Sequence, residues 1–337
     1  MLNIKKVSII LPTYNRSDLI ATSIESCLKQ SYENIEVIIV NDGSTDNTKE
    51  VVSRFLLDKR VKYFEQKNKG LPAALNFGFS KASGDYFTWT SDDNYYLENA
   101  IEEMVKILNG TKSPSFVYAD YDIFFEDLKI YKPMNLSGKH KLYLDNIIGA
   151  CFLYHREIAV AVGKYNEDLV LVEDYDYWLR IQKKFNMIHY PKKLYVYRDH
   201  SESLTKKKQE KAREALIELR KMHKLTELMV EEFTCFSKER NIYIWGTGSG
   251  GDFLFRELKN KKEISRFIDS DIRKSGSKFH DVEVISPKEL YSVSLKKKPY
   301  ILVASTYQEA IEEQLQHLGF KENKDYYHIY NKVKGIR

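Results

Sequence analysis

The chain is poor in cysteine, has no long apolar run and carries no strong excess of either charge. Its three cysteines, Cys27, Cys151 and Cys235, lie far apart and match no metal-site spacing. A sparse, odd count offers no disulfide framework and suits buried thiols in a reducing compartment. No apolar stretch approaches the ~18 residues that cross a bilayer. Met1-Leu2-Asn3-Ile4-Lys5-Lys6 leads straight into a strand pattern and lacks the profile of a signal peptide. The expected location is cytoplasmic, with at most peripheral membrane contact. Lys and Arg number 53 against 48 Asp and Glu, a formal net charge of +5. That is too weak to indicate nucleic acid as a partner. What is present, 43% hydrophobic and 30% charged residues in a chain of 337, is the composition of a soluble globular protein. This length accommodates two domains of ~100–200 residues each.

Val7-Ser8-Ile9-Ile10-Leu11 is a continuous apolar strand, ended by Pro12. Ser17-Asp18 opens a helix with Leu19, Ile20, Ile24 and Leu28 at helical spacing. Glu36 to Val40 is a second buried strand, followed by the polar loop Asn41-Asp42-Gly43-Ser44-Thr45-Asp46. A helix from Thr48 to about Leu57, a strand from Val61 to Phe64, a helix from Leu71 to Ala82 and a strand ending at Trp89 complete the pattern. Apolar strands alternating with helices predict an α/β fold with a mostly parallel sheet covered on both faces. Ligands of such sheets sit at the carboxyl ends of the strands, where Thr13, Asp42 and Asp92 all fall.

From Glu98 to His200 the pattern is less regular, with a strand at Phe116-Val117-Tyr118. Residues 206–238 are rich in Lys and Glu, yet Ala212, Leu216, Leu219, Met222, Leu225 and Met229 recur every three or four positions, predicting one amphipathic helix. A second α/β pattern begins near Asn241: strand Ile242 to Trp245, glycine loop Gly246 to Gly251, helix Phe253 to Leu258, and strand Arg266 to Ile268 ending in Asp269. The expected organisation is a nucleotide-binding domain over residues 1–205, a helical linker over 206–240, and a small Rossmann-like domain over 241–337.

The run Trp89-Thr90-Ser91-Asp92-Asp93-Asn94 places two adjacent carboxylates where a buried strand opens into a loop. Paired carboxylates there suit a hard divalent cation that keeps open positions for phosphate oxygens. The same residues are also ordinary turn formers. Asp42 to Thr48 likewise reads either as a helix cap or as a base-binding loop.

The order of these segments carries more than any one of them. Pro12-Thr13-Tyr14-Asn15-Arg16, Val40-Asn41-Asp42-Gly43-Ser44-Thr45-Asp46 and Asn68-Lys69-Gly70 stand in register with Ala74, Asn76 and Gly78; Gly84-Asp85-Tyr86 and Ser91-Asp92-Asp93 follow. Together they resemble the family 2 inverting glycosyltransferases of the GT-A fold, over about residues 5–205. The resemblance implies a nucleotide-sugar donor, UDP-hexose or UDP-N-acetylhexosamine, and a divalent Mn or Mg ion. Pro12, Thr13, Asn15 and Gly70 would line the nucleotide pocket, with Asp42 against the base. The family's Asp-x-Asp motif, counted from Gly84, falls on Ser91-Asp92-Asp93, making Asp93 the metal ligand and Asp92 the neighbour of the ribose or metal. Ser91 departs from the usual first Asp. Leu75 stands where many members carry an Arg, which leaves the identity of the base open.

Val172-Glu173-Asp174-Tyr175 resembles the family's acidic motif, with Asp174 as general base and Glu173 as the alternative. The alternative reading is an acidic helix start favoured by the helix dipole. Tyr197-Arg198-Asp199-His200 matches a Tyr-Arg-x-His segment, in which His200 would complete the metal site or contact a phosphate. Lys206-Lys207-Lys208 is either a solvated charge run or a loop over the diphosphate. Asn146 to Cys151 aligns with an acceptor-side segment, and Trp178 is either a sugar-stacking or a core residue. In the second domain, Gly246-x-Gly248-x-x-Gly251 with Asp269 fits a dinucleotide fingerprint or plain strand–turn–helix packing.

The leading expectation is therefore an inverting, metal-dependent sugar transferase acting on a glycan, glycoprotein or lipid-linked hydroxyl, with homo-oligomerisation open. Its rivals are a dinucleotide-dependent oxidoreductase centred on the second domain and a non-catalytic sugar-nucleotide-binding subunit.

Overall fold

The computed structural model describes residues 4–134, 136, 142–143, 146, 148–149, 151–203, 208–237, 239–294, 298–305, 307–322 and 324–328. The chain divides into two compact units, residues 1–142 with 146–219 and residues 143–145 with 220–337, so that the helix Gln209–Met222 crosses the boundary.

The first unit opens with β1 (Val7–Thr13), α1 (Ile20–Leu28), β2 (Ile35–Asn41), α2 (Thr48–Ser53), β3 (Val61–Glu65), α3 (Leu71–Lys81) and β4 (Tyr86–Trp89). It continues with β5 (Tyr95–Tyr96), α4 (Ala100–Asn109), β6 (Ser115–Phe125), β7 (Ile130–Met134), β8 (Phe152–His155), α5 (Arg156–Val162), α6 (Glu173–Gln182), β9 (Asn186–Asp199) and α7 (Gln209–Met222). Every residue of β1 and β2 is buried, as expected for β-branched runs covered on both faces. The sheet runs β3-β2-β1-β4-β8-β6-β9-β5, with β7 paired to β6. Its β3-β2-β1-β4 half is wholly parallel. β8 then lies antiparallel between β4 and β6, and β9 runs parallel to β6.

One expectation needs correction: Pro12 does not end its strand. β1 pairs with β2 up to Thr13↔Asn41, but with β4 only as far as Ile10↔Trp89. Past Ile10 one side of β1 is free of a ladder, so a residue lacking an N–H is tolerated. The two strands part there and open a notch at the carboxyl end of the sheet.

The second unit contains α8 (Leu225–Ser237), β10 (Ile242–Trp245), α9 (Ser249–Leu258), β11 (Ile264–Ile268), β12 (Lys278–Phe279), β13 (Val282–Ile285), α10 (Pro287–Ser294), β14 (Tyr300–Val303), α11 (Gln308–His317) and β15 (Tyr326–His328). Its sheet order is β12-β13-β11-β10-β14-β15, parallel except for the β12 edge. Alternate residues of β10 serve opposite faces. Ile242 and Ile244 join Leu254 and Phe267, while Tyr243 and Trp245 join Ile301 and Leu315. The single amphipathic helix expected over residues 206–238 is instead two, α7 and α8, interrupted where Lys224 adopts φ +53°. A left-handed residue cannot continue a right-handed helix. Among the described residues, no helix is long and apolar enough to cross a membrane.

Candidate active site

The loops after β1, β2 and β4 meet at the notch. Asn15 has φ +53°; its amide N donates to Ser44 Oγ at 2.9 Å and its Oδ1 accepts from Thr45 N at 2.7 Å. Arg16 N donates to Thr48 Oγ1 at 3.1 Å, and Ser17 N to Asp46 Oδ2 at 3.0 Å. The first loop is thereby stapled to the second, and Asn15, expected in the nucleoside pocket, supplies part of the staple. Pro12 and Thr13 are buried beside it.

Tyr14 N donates to Asp92 Oδ2 at 3.3 Å, and Arg16 Nε lies 3.8 Å from Asp92 Oδ1. Arg16 also donates to the Glu202 carbonyl at 2.8 Å, just beyond His200. Sequence reasoning assigned Arg16 no role; the available signal was a cation inside the motif that precedes a carboxylate pair. Burial and the adjacent Asp93 push the Asp92 carboxyl up to about 7, against the opposing influence of the Thr13 hydroxyl, Arg16 and the Tyr14 amide. Two adjacent carboxylates resisting joint ionisation are a setting that a cation relieves.

The chain brings Asp93 and His200 together from loops 107 residues apart. His200, 4% exposed, sets its Nε2 at 3.1 Å from Asp93 Oδ2. Among the described residues no group of three His, Cys, Asp or Glu could enclose a metal ion. An oxygen and an imidazole nitrogen, with further positions left open, nonetheless fit an ion that takes its remaining ligands from a diphosphate.

Glu173 and Asp174 form a second adjacent pair, at the start of α6, where the helix dipole favours negative charge. Asp174 Oδ1 accepts from Tyr175 N at 2.6 Å, and Oδ2 accepts from Asn146 Nδ2 at 3.1 Å. Burial raises the Asp174 carboxyl above its ordinary value against these two bonds. Burial, and after it the charges of Asp93 and Asp199, hold the Tyr197 hydroxyl protonated.

Glu173 is 4% exposed, its Oε2 has no partner, and burial with the Asp174 charge pushes its carboxyl up to about 8. The folded protein holds a proton there that the unfolded chain loses from pH 4.5 upward. Stability therefore falls as pH rises from 4.5 to about 8. Glu173→Gln removes that penalty. Thermal melts are expected to show little change near pH 5 and a gain of about 5 °C at pH 8. A gain that did not grow with pH would sink this account.

The other expected residues fall as follows. Asp42 and Gly70 are joined at the end of β2, where Gly70 N donates to Asp42 Oδ2 at 2.8 Å. Leu75 is fully buried in α3. Trp178 is a core residue, 1% exposed and packed on Phe116 and Phe152. Lys206 and Lys207 lie outside the described residues. A hollow of about 660 Å³ near Lys5, Gly84, Thr111 and Arg156 is lined by the Gly84-Asp85-Tyr86 motif but by none of the expected catalytic, nucleotide-binding or metal residues. In the second unit, Asp269 accepts from Thr247 Oγ1 and, at 2.9 Å each, from Lys274 Nζ and Asp271 N.

Residues 8–163 match the family described as glycosyl transferase family 2. The first unit is similar to family 2 glycosyltransferases. Residues 238–325 match a different description, C2185-like, N-terminal. An "uncharacterized glycosyltransferase" of Rickettsia felis is 36% identical over 217 residues, covering 60% of this chain and 35% of that protein. Glycosyltransferase GlyG of Streptococcus pneumoniae serotype 4 is 43% identical over 120 residues, covering 34% of this chain and 40% of GlyG. Among solved structures, S. aureus TarS 1-349 in complex with UDP-GlcNAc aligns with a TM-score of 0.52 at 15% identity, over 64% of this chain and 65% of TarS 1-349. That likeness is one of fold. The chain spans about a third of the length of the Rickettsia felis protein.

Proposed function

We propose that the first unit transfers a sugar, with inversion, from a nucleoside diphosphate sugar to a hydroxyl of a glycan, glycoprotein or lipid-linked acceptor. The observation that carries this reading is the meeting of Asp93 and His200, 3.1 Å apart, in the loop that follows β4 at the notch. The named glycosyltransferase relatives and the UDP-GlcNAc complex of TarS support the same class of donor.

In this reading Pro12, Thr13 and Gly70 flank the nucleoside and Asp92 faces the ribose. Asn15 holds the pocket's two loops together through Ser44 and Thr45. Asp174 accepts the proton of the acceptor hydroxyl as its oxygen bonds to the anomeric carbon from the face opposite the diphosphate. The sugar–phosphate C–O bond breaks in the same displacement, and its electron pair leaves with the nucleoside diphosphate. A divalent cation held by Asp93 and His200 supplies charge neutralisation at that diphosphate when bound. Asn146 and the Tyr175 amide fix the Asp174 carboxylate through its two oxygens.

The test needs no acceptor. A panel of UDP-, GDP-, CDP- and dTDP-sugars with Mn is expected to show slow hydrolysis of at least one donor, abolished by a chelator. Absence of both hydrolysis and donor binding across the panel would overturn the reading.

A further inference from the structure

The loop after β4 is tied to the end of β9 and the turn beyond it at three consecutive positions. Asp93 Oδ2 faces His200 Nε2 at 3.1 Å, and Asn94 Oδ1 accepts from Arg198 N at 2.8 Å. The third tie, at Asp92, is indirect and runs through Arg16. Arg16 Nε lies 3.8 Å from Asp92 Oδ1, Nη2 donates to the Glu202 carbonyl at 2.8 Å, and Nη1 donates to the Asn15 carbonyl at 3.4 Å. Each guanidinium nitrogen therefore faces an oxygen, and the three oxygens belong to three segments. Glu202 lies in the turn that His200 opens, where Ser203 N donates to the His200 carbonyl at 3.3 Å. Arg198 and Glu202 thus bracket His200, and both are held from other segments. The root of the Arg16 side chain is fixed as well. Its N donates to Thr48 Oγ1 at 3.1 Å, and its carbonyl accepts from Leu19 N and Ile20 N where α1 begins. A planar fork on a fixed root can hold several oxygens in one geometry, which the single ammonium of a lysine cannot.

We propose that Arg16 is a positioning residue: it pins the turn after β9 to the loop after β1, across Asp92, and so keeps His200 opposite Asp93 before any cation arrives. This rests on the reading of Asp93 and His200 as cation ligands. Because the loop after β1 is stapled to the loop after β2, the cation site and the nucleotide pocket share one frame. Arg16 acts on a bound cation in two opposed ways. Its charge repels the ion, whereas its geometry spares the ion the cost of ordering His200. Asp92 beside it offsets the charge, so the geometry is expected to win. The direction in which cation affinity moves when Arg16 is removed therefore separates the two.

The experiment compares wild type, Arg16→Met and Arg16→Lys by two measurements. One is deuterium exchange in EDTA, without nucleotide, of the peptides covering residues 198–203 and residues 35–41; the other is calorimetric binding of Mn in the presence of UDP. Arg16→Met is expected to raise exchange over residues 198–203 about tenfold, to leave residues 35–41 in β2 as in wild type, and to weaken Mn about tenfold. Arg16→Lys keeps the charge and loses the fork, so it should move both quantities in the same direction, and it decides the matter if Arg16→Met fails to fold. Tighter Mn binding by Arg16→Met would show that the charge dominates and would overturn the proposal. So would an Arg16→Lys variant equal to wild type in both measurements, or a rise in exchange that residues 35–41 share equally. If wild type binds no Mn with UDP, the cation reading fails and exchange alone decides. A rise confined to residues 198–203 then upholds the positioning role, and no rise refutes it.

Discussion

Asp174→Asn is expected to lower sugar transfer by two to four orders of magnitude, about the contribution of a general base, while leaving donor affinity within about twofold. The substitution is nearly isosteric. An asparagine oxygen still accepts from Tyr175 N, now 2.6 Å away, and Asn146 can turn its amide to accept from the new NH₂. What is lost is the site for the acceptor's proton. Because burial raises the Asp174 carboxyl, the acid limb of the wild-type rate profile should lie above the ordinary aspartate value of about 4, with activity rising with pH through it. The residual activity of the variant should lack that limb. Single-turnover transfer measured across pH, alongside donor binding, checks both statements. Near-normal turnover would remove Asp174 from the role and leave Glu173 as the remaining carboxylate of the pair.

Asp93→Ala is expected to separate two properties that usually move together. Removing the oxygen that faces His200 Nε2 at 3.1 Å should weaken Mn binding in the presence of UDP by about a thousandfold, and donor hydrolysis should fall to the metal-free baseline. The metal-free protein should become more stable. Asp92 is pushed up to about 7 by burial and by its neighbour's charge, so deleting Asp93 relieves a repulsion that the fold otherwise carries. Melting curves with EDTA should therefore move upward in the variant, and the further rise that Mn and UDP give wild type should vanish. A variant that lost stability in EDTA yet kept the Mn-dependent rise would contradict both halves.

The loops after β1, β2 and β4 are legible in the sequence because their signals are local. The apolar runs behind β1 and β2 are legible directly, and the expected strand Glu36 to Val40 differs from Ile35–Asn41 by one residue at each end. The pairs Asp92-Asp93 and Glu173-Asp174 are legible because neighbouring carboxylates need a reason. β6 was far harder: three residues were expected and eleven form. Asp120 and Asp122 interrupt its apolar pattern, and their partners His189 and Lys193, at 2.7 and 3.0 Å, lie on β9 some seventy residues away. Arg16 bonding the Glu202 carbonyl and Gln66 bonding Asp42 belong to the same class. Such pairings depend on loops meeting in space, and spacing along the chain does not record them.

The unequal ladders of β1 bear on how such a protein diversifies. The notch exists because β1 continues with β2 after it has parted from β4, so the cleft is a property of strand length on the parallel side. Asp174 and Asn146, by contrast, are carried by chain that follows β4, where the sheet turns mixed. The two halves can thus be revised separately. Recombination or design that exchanges the later half leaves the cleft's cause untouched.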